Sequence, residues 1–322
     1  MKLFLVLALL FFASSSQTIF AQTATDIKYP FPVKYFALSV EKQTVKMAYM
    51  DVMPQKPNGE TVILFHGKNF NGFYWKNVVP MLTARGYRVI VPDQIGWGKS
   101  DRPNIHYSFH QLAENNKKLL DSLNINKINV VGHSMGGMLA TRFALMFPET
   151  VSKLILENPI GLEDYRTFVP FETTEKIEQT ELKATYESYK NYQKTYYPEY
   201  KPEYEQYVAA QAADLKLASF PNIALVNALT FQMIYEQPVV YEFENLKMPT
   251  LLIVGQEDRT VVGKNKVPKE IVGNYGNYPR LGKLIKSRIK NSQLVELAGV
   301  GHIPHVQTPD KFENAVANFL QK

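Results

Sequence analysis

Gly132-His133-Ser134-Met135-Gly136-Gly137 lies where the apolar run 128–133 gives way to a helical pattern over 135–147. A strand that ends in a serine flanked by small residues and passes straight into a helix reads as a nucleophile elbow. Gly132 and Gly136 answer the geometry of such a turn, because strand and helix backbones approach each other there and leave no room for a β-carbon. The serine hydroxyl then projects from the strand end. The positive end of the following helix faces it and favours negative charge that develops nearby.

On either side of this stretch the same alternation continues. Strand-like 61–66 precedes helical 73–85, strand-like 87–92 precedes helical 109–124, and 151–157 is a further strand. After a long gap, strands at 250–255 and 293–297 lead to a C-terminal helix in which Phe312, Ala315, Val316, Phe319 and Leu320 share one face. This predicts an α/β fold, a mostly parallel central sheet with helices on both faces. Segments 33–39 and 44–52 alternate around Glu41-Lys42-Gln43 and form a leading hairpin. From Pro159 to Lys247 the strand signal stops and the chain becomes helical, charged and rich in tyrosine, from Tyr165 to Tyr207. The expected organisation is therefore a core of 22–158 and 248–322 with an inserted helical lid at 159–247. Pro198 and Pro202 interrupt the helices of that insert, and Phe231, Met233 and Ile234 face inward near its end.

Composition narrows the function. With 322 residues and 45% hydrophobic content the chain can bury one large core. The net charge of +6 comes from scattered Lys and Arg with no long block of one sign, so it reads as a solvated surface and no nucleic-acid partner is expected. The absence of cysteine removes disulfides, thiolate zinc sites and thiol nucleophiles. No His-Glu-x-x-His spacing marks a metal, and no Lys-Ser or Lys-Thr follows the glycines around Ser134 as in a phosphate loop. Gly96 and Gly98 lack the third glycine of a dinucleotide fingerprint. Neither metal nor cofactor is expected. At the start, Lys2, an apolar run over 3–12 and Ile19-Phe20-Ala21 read as a signal peptide 1–21, cleaved after Ala21. Its apolar part is too short for a membrane span, so the expected location is secreted or periplasmic.

Ser134 needs a base, and His66, His106, His110, His133, His302 and His305 are the candidates. His302, in Gly299-Val300-Gly301-His302-Ile303-Pro304, falls between the last strand and the last helix and is chosen on position; His305 is the runner-up. His66 reads as a loop-fixing residue, and His133, adjacent to the nucleophile on a turn, points away from it. An acid must hold the imidazole tautomer. Asp258, after the strand 250–255, gives the order Ser, Asp, His; Glu157 is the alternative and Glu257 a weaker one. The oxyanion donors are assigned to the backbone amides of Met135 and Lys68, with the Asn69 side chain as a substitute for the second.

With these residues in place the sequence resembles the α/β-hydrolase superfamily, in its branch of lidded esterases, C–C hydrolases and epoxide-hydrolase-like enzymes, from about Phe31 to the C-terminus. Beyond the elbow, His66-Gly67 resembles the oxyanion loop of that family. Asp93-Gln94-Ile95-Gly96-Trp97-Gly98-Lys99-Ser100 resembles its next loop, and Gly301-His302 its catalytic histidine. The resemblance implies a structural role for Asp93. Gln307 stands where many relatives carry an acid. Ser134 in place of an aspartate argues against dehalogenase and epoxide-hydrolase chemistry. The expectation is a serine hydrolase of carboxylic esters acting on a small molecule, with an apolar or aromatic acyl group favoured by the tyrosine-rich insert. The alternatives are a C–C hydrolase of a vinylogous diketone, an aminopeptidase anchored by Glu163, Asp164 or Glu172, and a binding protein without chemistry.

Overall fold

The computed structural model describes residues 27–321, so the expected signal segment lies outside the described residues. Among the described residues eight strands are formed by β1 (Val33–Val40), β2 (Gln43–Val52), β3 (Thr61–Phe65), β4 (Arg88–Pro92), β5 (Ile128–His133), β6 (Val151–Glu157), β7 (Thr250–Gly255) and β8 (Ser292–Leu297). They make one sheet in the order β1-β2-β4-β3-β5-β6-β7-β8. Strand β2 pairs antiparallel with both β1 and β4, and every pairing from β4 to β8 is parallel. The leading hairpin turns on Glu41 and Lys42, both at positive φ (46° and 65°), as a two-residue turn matched to strand twist requires.

Ten α-helices accompany the sheet among the described residues. They are α1 (Val78–Ala84), α2 (Phe109–Ser122), α3 (Met135–Met146), α4 (Thr174–Glu181), α5 (Tyr186–Lys194), α6 (Glu205–Ala212), α7 (Phe220–Glu236), α8 (Tyr278–Arg288), α9 (Pro304–Gln307) and α10 (Pro309–Leu320). The central strands are buried on both faces, and alternate residues feed two cores. Ile63, Val130, Leu154 and Leu252 pack with α2, α3 and α8, whereas Leu64, Val131, Ile155 and Ile253 pack with α1 and α10. Helices α4 to α7 all fall between β6 and β7, inside the span read as an insert.

The predicted helix 73–85 is shorter than expected. A 3-10 turn, Gly72–Trp75, capped by the Asn71 side chain, comes first, and α1 begins only at Val78. Pro80 is the reason: its ring excludes the carbonyl four residues earlier, so a helix through it can start only within the preceding turn. Because β3 to β8 run parallel, the loops after β3, β5, β6, β7 and β8 all gather at one edge of the sheet. The chain moves outward in opposite directions from β3 and β5, which leaves a crevice between them at that edge.

Candidate active site

Ser134 joins β5 to α3 with φ 56° and ψ −121°, a conformation that non-glycine residues rarely hold and that the surroundings must impose. A β-carbon on Gly132 would run into the carbonyl of Gly136, and one on Gly136 into that of Phe65. The turn is thus as tight as the sequence demanded. The Ser134 amide donates to Glu157 O (3.2 Å), and its carbonyl accepts from Gly137 N (2.8 Å) and Ile160 N (3.2 Å), which fixes the serine from three sides.

The three distant residues singled out in the sequence come together. Ser134 Oγ lies 2.9 Å from His302 Nε2, and His302 Nδ1 lies 2.7 Å from Asp258 Oδ2. Asp258 Oδ2 also accepts from Asn158 Nδ2 (2.6 Å), and Oδ1 from Thr260 N (2.8 Å). Burial by itself would raise the Asp258 carboxyl, but His302 beside it and the bonds from Thr260 and Asn158 outweigh that and hold it below the ordinary carboxylate range. With Asp258 accepting, Nδ1 of His302 carries the ring proton and Nε2 is left to accept from the serine.

The competing candidates are placed elsewhere. Glu157 bonds His305, through the His305 backbone N (2.7 Å) and Nδ1 (2.9 Å to each oxygen), and does not reach His302. His305 stacks on Trp75 with ring centroids 4.4 Å apart, beneath the site. Glu257 has only a backbone role here, donating from N to Val300 O (2.9 Å). His66 Nε2 accepts from Gln94 N (3.0 Å) and its Nδ1 donates to Gly67 O (2.9 Å), the loop-fixing role read from sequence; burial lowers its pKa and keeps it neutral. Asp93 is likewise structural, accepting from Gly72 N (2.6 Å), Tyr29 Oη (2.6 Å) and Lys99 N (2.7 Å).

Three features were not read from the sequence. Asn158, at the end of β6, donates to Asp258 and accepts from Gly255 N (3.0 Å). Its position at a strand end on the loop-bearing edge was the available signal. Gln307 spans the histidine loop, accepting from Gly301 N (2.8 Å) and donating to Gly299 O (3.0 Å). A carboxylate there could accept but not donate, so this departure from the family pattern supplies a clamp of its own. Finally, Gly67 N donates to Tyr74 Oη (2.9 Å), Tyr74 Oη donates to His133 Nδ1 (3.1 Å), and His133 Nε2 donates to His302 O (2.8 Å). Burial first, then His302 and His305, pushes the His133 pKa well down, so the ring stays neutral as this relay requires.

Ser134 opens onto a cavity of about 540 Å³. Lys68, Asn69 and Trp97 line it from the core, and Ile177, Glu181, Tyr189, Tyr192 and Tyr196 from the helical insert. The Lys68 carbonyl accepts from Trp97 Nε1 (2.6 Å), and no hydrogen bond within the described residues takes up the amides of Lys68 or Met135. Lys68, whose amide is the assigned donor, is itself one of the residues that line the cavity. Asn69, the substitute donor, instead gives its Nδ2 to Tyr196 Oη (2.9 Å). Phe231 reaches the cavity, whereas Met233 and Ile234 are buried in the core. None of the three acids suggested as amine anchors lines the cavity. Glu163 accepts from Gly276 N, Asp164 pairs with Arg166, and Glu172 pairs with Lys176 and Lys266. Among the described residues, no group of three or more His, Asp or Glu side chains is gathered so as to hold a metal ion, and no helix is long and apolar enough to cross a membrane.

The sheet order, the helices on both faces and the strand, serine, helix turn place the molecule among hydrolases of the α/β class. The sequence pattern of the α/β-hydrolase fold family matches residues 60–309, and the chain belongs to that family. The crystal structure of a probable hydrolytic enzyme from Pseudomonas aeruginosa superimposes with a TM-score of 0.91 at 41% identity, covering 94% of this chain and 99% of the other. A 2-hydroxy-6-oxo-6-(2'-aminophenyl)hexa-2,4-dienoic acid hydrolase from Metapseudomonas resinovorans is 27% identical over 284 residues, 82% of this chain and 85% of its own. A 2-hydroxy-6-oxononadienedioate/2-hydroxy-6-oxononatrienedioate hydrolase from Paraburkholderia xenovorans is 42% identical, but over 118 residues that make up 40% of its length. Other curated relatives are matched over 30% of their length.

Proposed function

We propose that this protein is a serine hydrolase that cleaves a carboxylic ester, or a related carbonyl compound, through an acyl-enzyme on Ser134. The observation that carries the reading is the continuous chain from Ser134 Oγ through His302 to Asp258, with links of 2.9 and 2.7 Å, at the floor of a cavity. In this scheme His302 Nε2 takes the serine proton as Oγ attacks the carbonyl carbon. The amides of Met135 and Lys68 bind the oxyanion, and Asp258 stabilises the imidazolium. The imidazolium then protonates the leaving alkoxide, and a water activated by the same ring releases the acid. Helices α4 to α7 act as the lid, and Ile177, Tyr189, Tyr192 and Phe231 offer the acyl chain an apolar and aromatic wall.

A fluorophosphonate probe tests the proposal. It should label the protein once, at Ser134, and p-nitrophenyl butyrate should be hydrolysed; Ser134→Ala should abolish both. A folded wild-type protein that takes no label overturns the reading in favour of a binding protein. A second reading, C–C hydrolysis of a vinylogous diketone, is favoured by the similarity that runs along most of the chain to a hydrolase named for a dienoic acid. Turnover of a 2-hydroxy-6-oxo-dienoate with no turnover of short esters would select it. The aminopeptidase reading loses its support, because the proposed amine anchors stand away from the cavity.

A further inference from the structure

The wall of the Ser134 cavity carries the cations Lys68, Arg102, Lys183 and Lys266. Two are matched by acids: Arg102 Nη2 lies 2.8 Å from Asp214 Oδ2, and Lys266 pairs with Glu172 while its ammonium sits 4.3 Å above the Phe231 ring. Lys183 is exposed. Lys68 differs from all of these. It is partly buried, and within the described residues its ammonium forms no ion pair and no hydrogen bond. Glu181, the acid that acts on it across the cavity, is outside ion-pair distance and already accepts from Asn227 Nδ2 (3.2 Å). Burial lowers the Lys68 pKa and Lys266 lowers it further, with Glu181 opposing, the direction expected of an ammonium that has surrendered water without gaining a full counter-charge.

The position of Lys68 matters as much as its charge. Its carbonyl is pinned by Trp97 Nε1, and its amide is one of the two assigned above to the oxyanion. One residue thus presents an amide to the reacting carbonyl and, on a four-carbon stem, a point charge to whatever lies a few atoms beyond it. A single ammonium with Glu181 in its field suits a monoanion better than a doubly charged phosphate.

We propose that Lys68 Nζ is a carboxylate-binding group, and that the preferred substrates carry a carboxylate a few carbons from the scissile carbonyl, as in the monoester of a short dicarboxylic acid. This rests on the hydrolase reading above for the placement of the carbonyl. It also adds to the expectation of an apolar or aromatic acyl group: the aromatic wall borders the chain, and the charge selects its end.

Calorimetry on Ser134→Ala protein, which needs no turnover, compares monomethyl glutarate with dimethyl glutarate. The monoanion should bind about tenfold tighter or more, the worth of one charge-assisted hydrogen bond. Lys68→Met should erase that ratio and Lys68→Arg should keep most of it. In parallel, the ratio of kcat/KM for 4-nitrophenyl hydrogen glutarate to that for 4-nitrophenyl pentanoate should fall by a similar factor in Lys68→Met. Equal binding of the two glutarates, or a preference that survives in Lys68→Met, overturns the proposal. So does a Lys68→Met protein that loses thermal stability while its affinity ratio stays put, since Lys68 would then serve only Glu181. Failure of the hydrolase reading has a different signature: wild-type protein turns over neither ester, while the calorimetric preference for the monoanion still follows Lys68.

Discussion

Replacing Asp258 with Asn puts the hydrogen-bonded chain under a test whose outcome follows from donor counting. The carboxylate receives three donors: His302 Nδ1 and Asn158 Nδ2 on Oδ2, and Thr260 N on Oδ1. An amide has one oxygen to offer. With that oxygen on Thr260 N, the new NH2 group faces two other donors. The imidazole then escapes by moving its proton to Nε2, where it can no longer accept from Ser134. With the amide turned over, the tautomer survives, but the NH2 faces the Thr260 amide and the charge that stabilises the imidazolium is gone. The first arrangement corresponds to a loss of about 10⁴ in kcat for the same change in a serine protease, or about 5.5 kcal/mol of transition-state stabilisation at 1.36 kcal/mol per decade. Expected for Asp258→Asn is therefore a fall of about 10³ to 10⁴ in kcat with little change in KM. Fluorophosphonate labelling should slow in proportion, and the circular dichroism spectrum should be unaltered. The assay is initial-rate hydrolysis of p-nitrophenyl butyrate, with active-site titration to exclude wild-type contamination. Activity within tenfold of wild type would refute the reasoning, and if Glu157→Gln were the damaging change instead, the acid would have to be reassigned to Glu157.

Two further outcomes can be stated from the same structure. Tyr74→Phe removes the hydroxyl that accepts from Gly67 N and donates to His133 Nδ1, and should cost about 1–3 kcal/mol in urea unfolding; an unchanged midpoint would mean that the relay carries no stability. Asp51 bridges the first two strands of the sheet to β4 through Lys34 (2.9 Å) and Arg88 (2.9 Å). Burial works to raise its carboxyl, but the bonds from Arg88 and Lys34 prevail and hold it low. A folded-state value below the unfolded one stabilises the fold above the unfolded value, about 3.9, and that contribution disappears as pH falls through the folded value. The urea-stability gap between wild type and Asp51→Asn should therefore be full at neutral pH and close below about pH 4; a gap that widens on acidification contradicts the assignment.

Sequence reading succeeded where a property is local to the chain. Strands β5, β6 and β7 begin and end at the residues expected, because uninterrupted apolar runs bounded by turn residues leave little freedom of register. Ser134, His302 and Asp258 were legible because each follows a strand in a parallel sheet, and such strands deliver their ends to one edge. What escaped was relational. Nothing near Asn158 in the chain shows that it will meet Asp258, one hundred residues on. The path from Tyr74 through His133 to His302 O likewise joins three separate segments, a 3-10 turn, a strand end and a loop. The lining of the cavity was equally hidden: Lys68 read as a main-chain donor, and only the folded loop places the residue on the cavity wall. The tyrosine-rich segment was read as one wall, but its rings divide between two environments. Tyr189 and Tyr192 border the cavity, Tyr197, Tyr204 and Tyr207 pack into the core on the α1 and α10 face, and Tyr196 belongs to both.

The backbone carbonyl of Tyr196 accepts from the amide of His302 at 2.7 Å, and its ring lies against that imidazole with centroids 4.9 Å apart. The insert is therefore fastened to His302 through Tyr196, so a shift of the segment around Tyr196 would tug directly on that imidazole. Movement of that segment and alignment of the imidazole would then be one mechanical event. For protein engineers, transplanting a foreign segment across 159–247 would exchange more than selectivity: the graft must bring its own carbonyl to the same spot, or the recipient inherits a slack histidine.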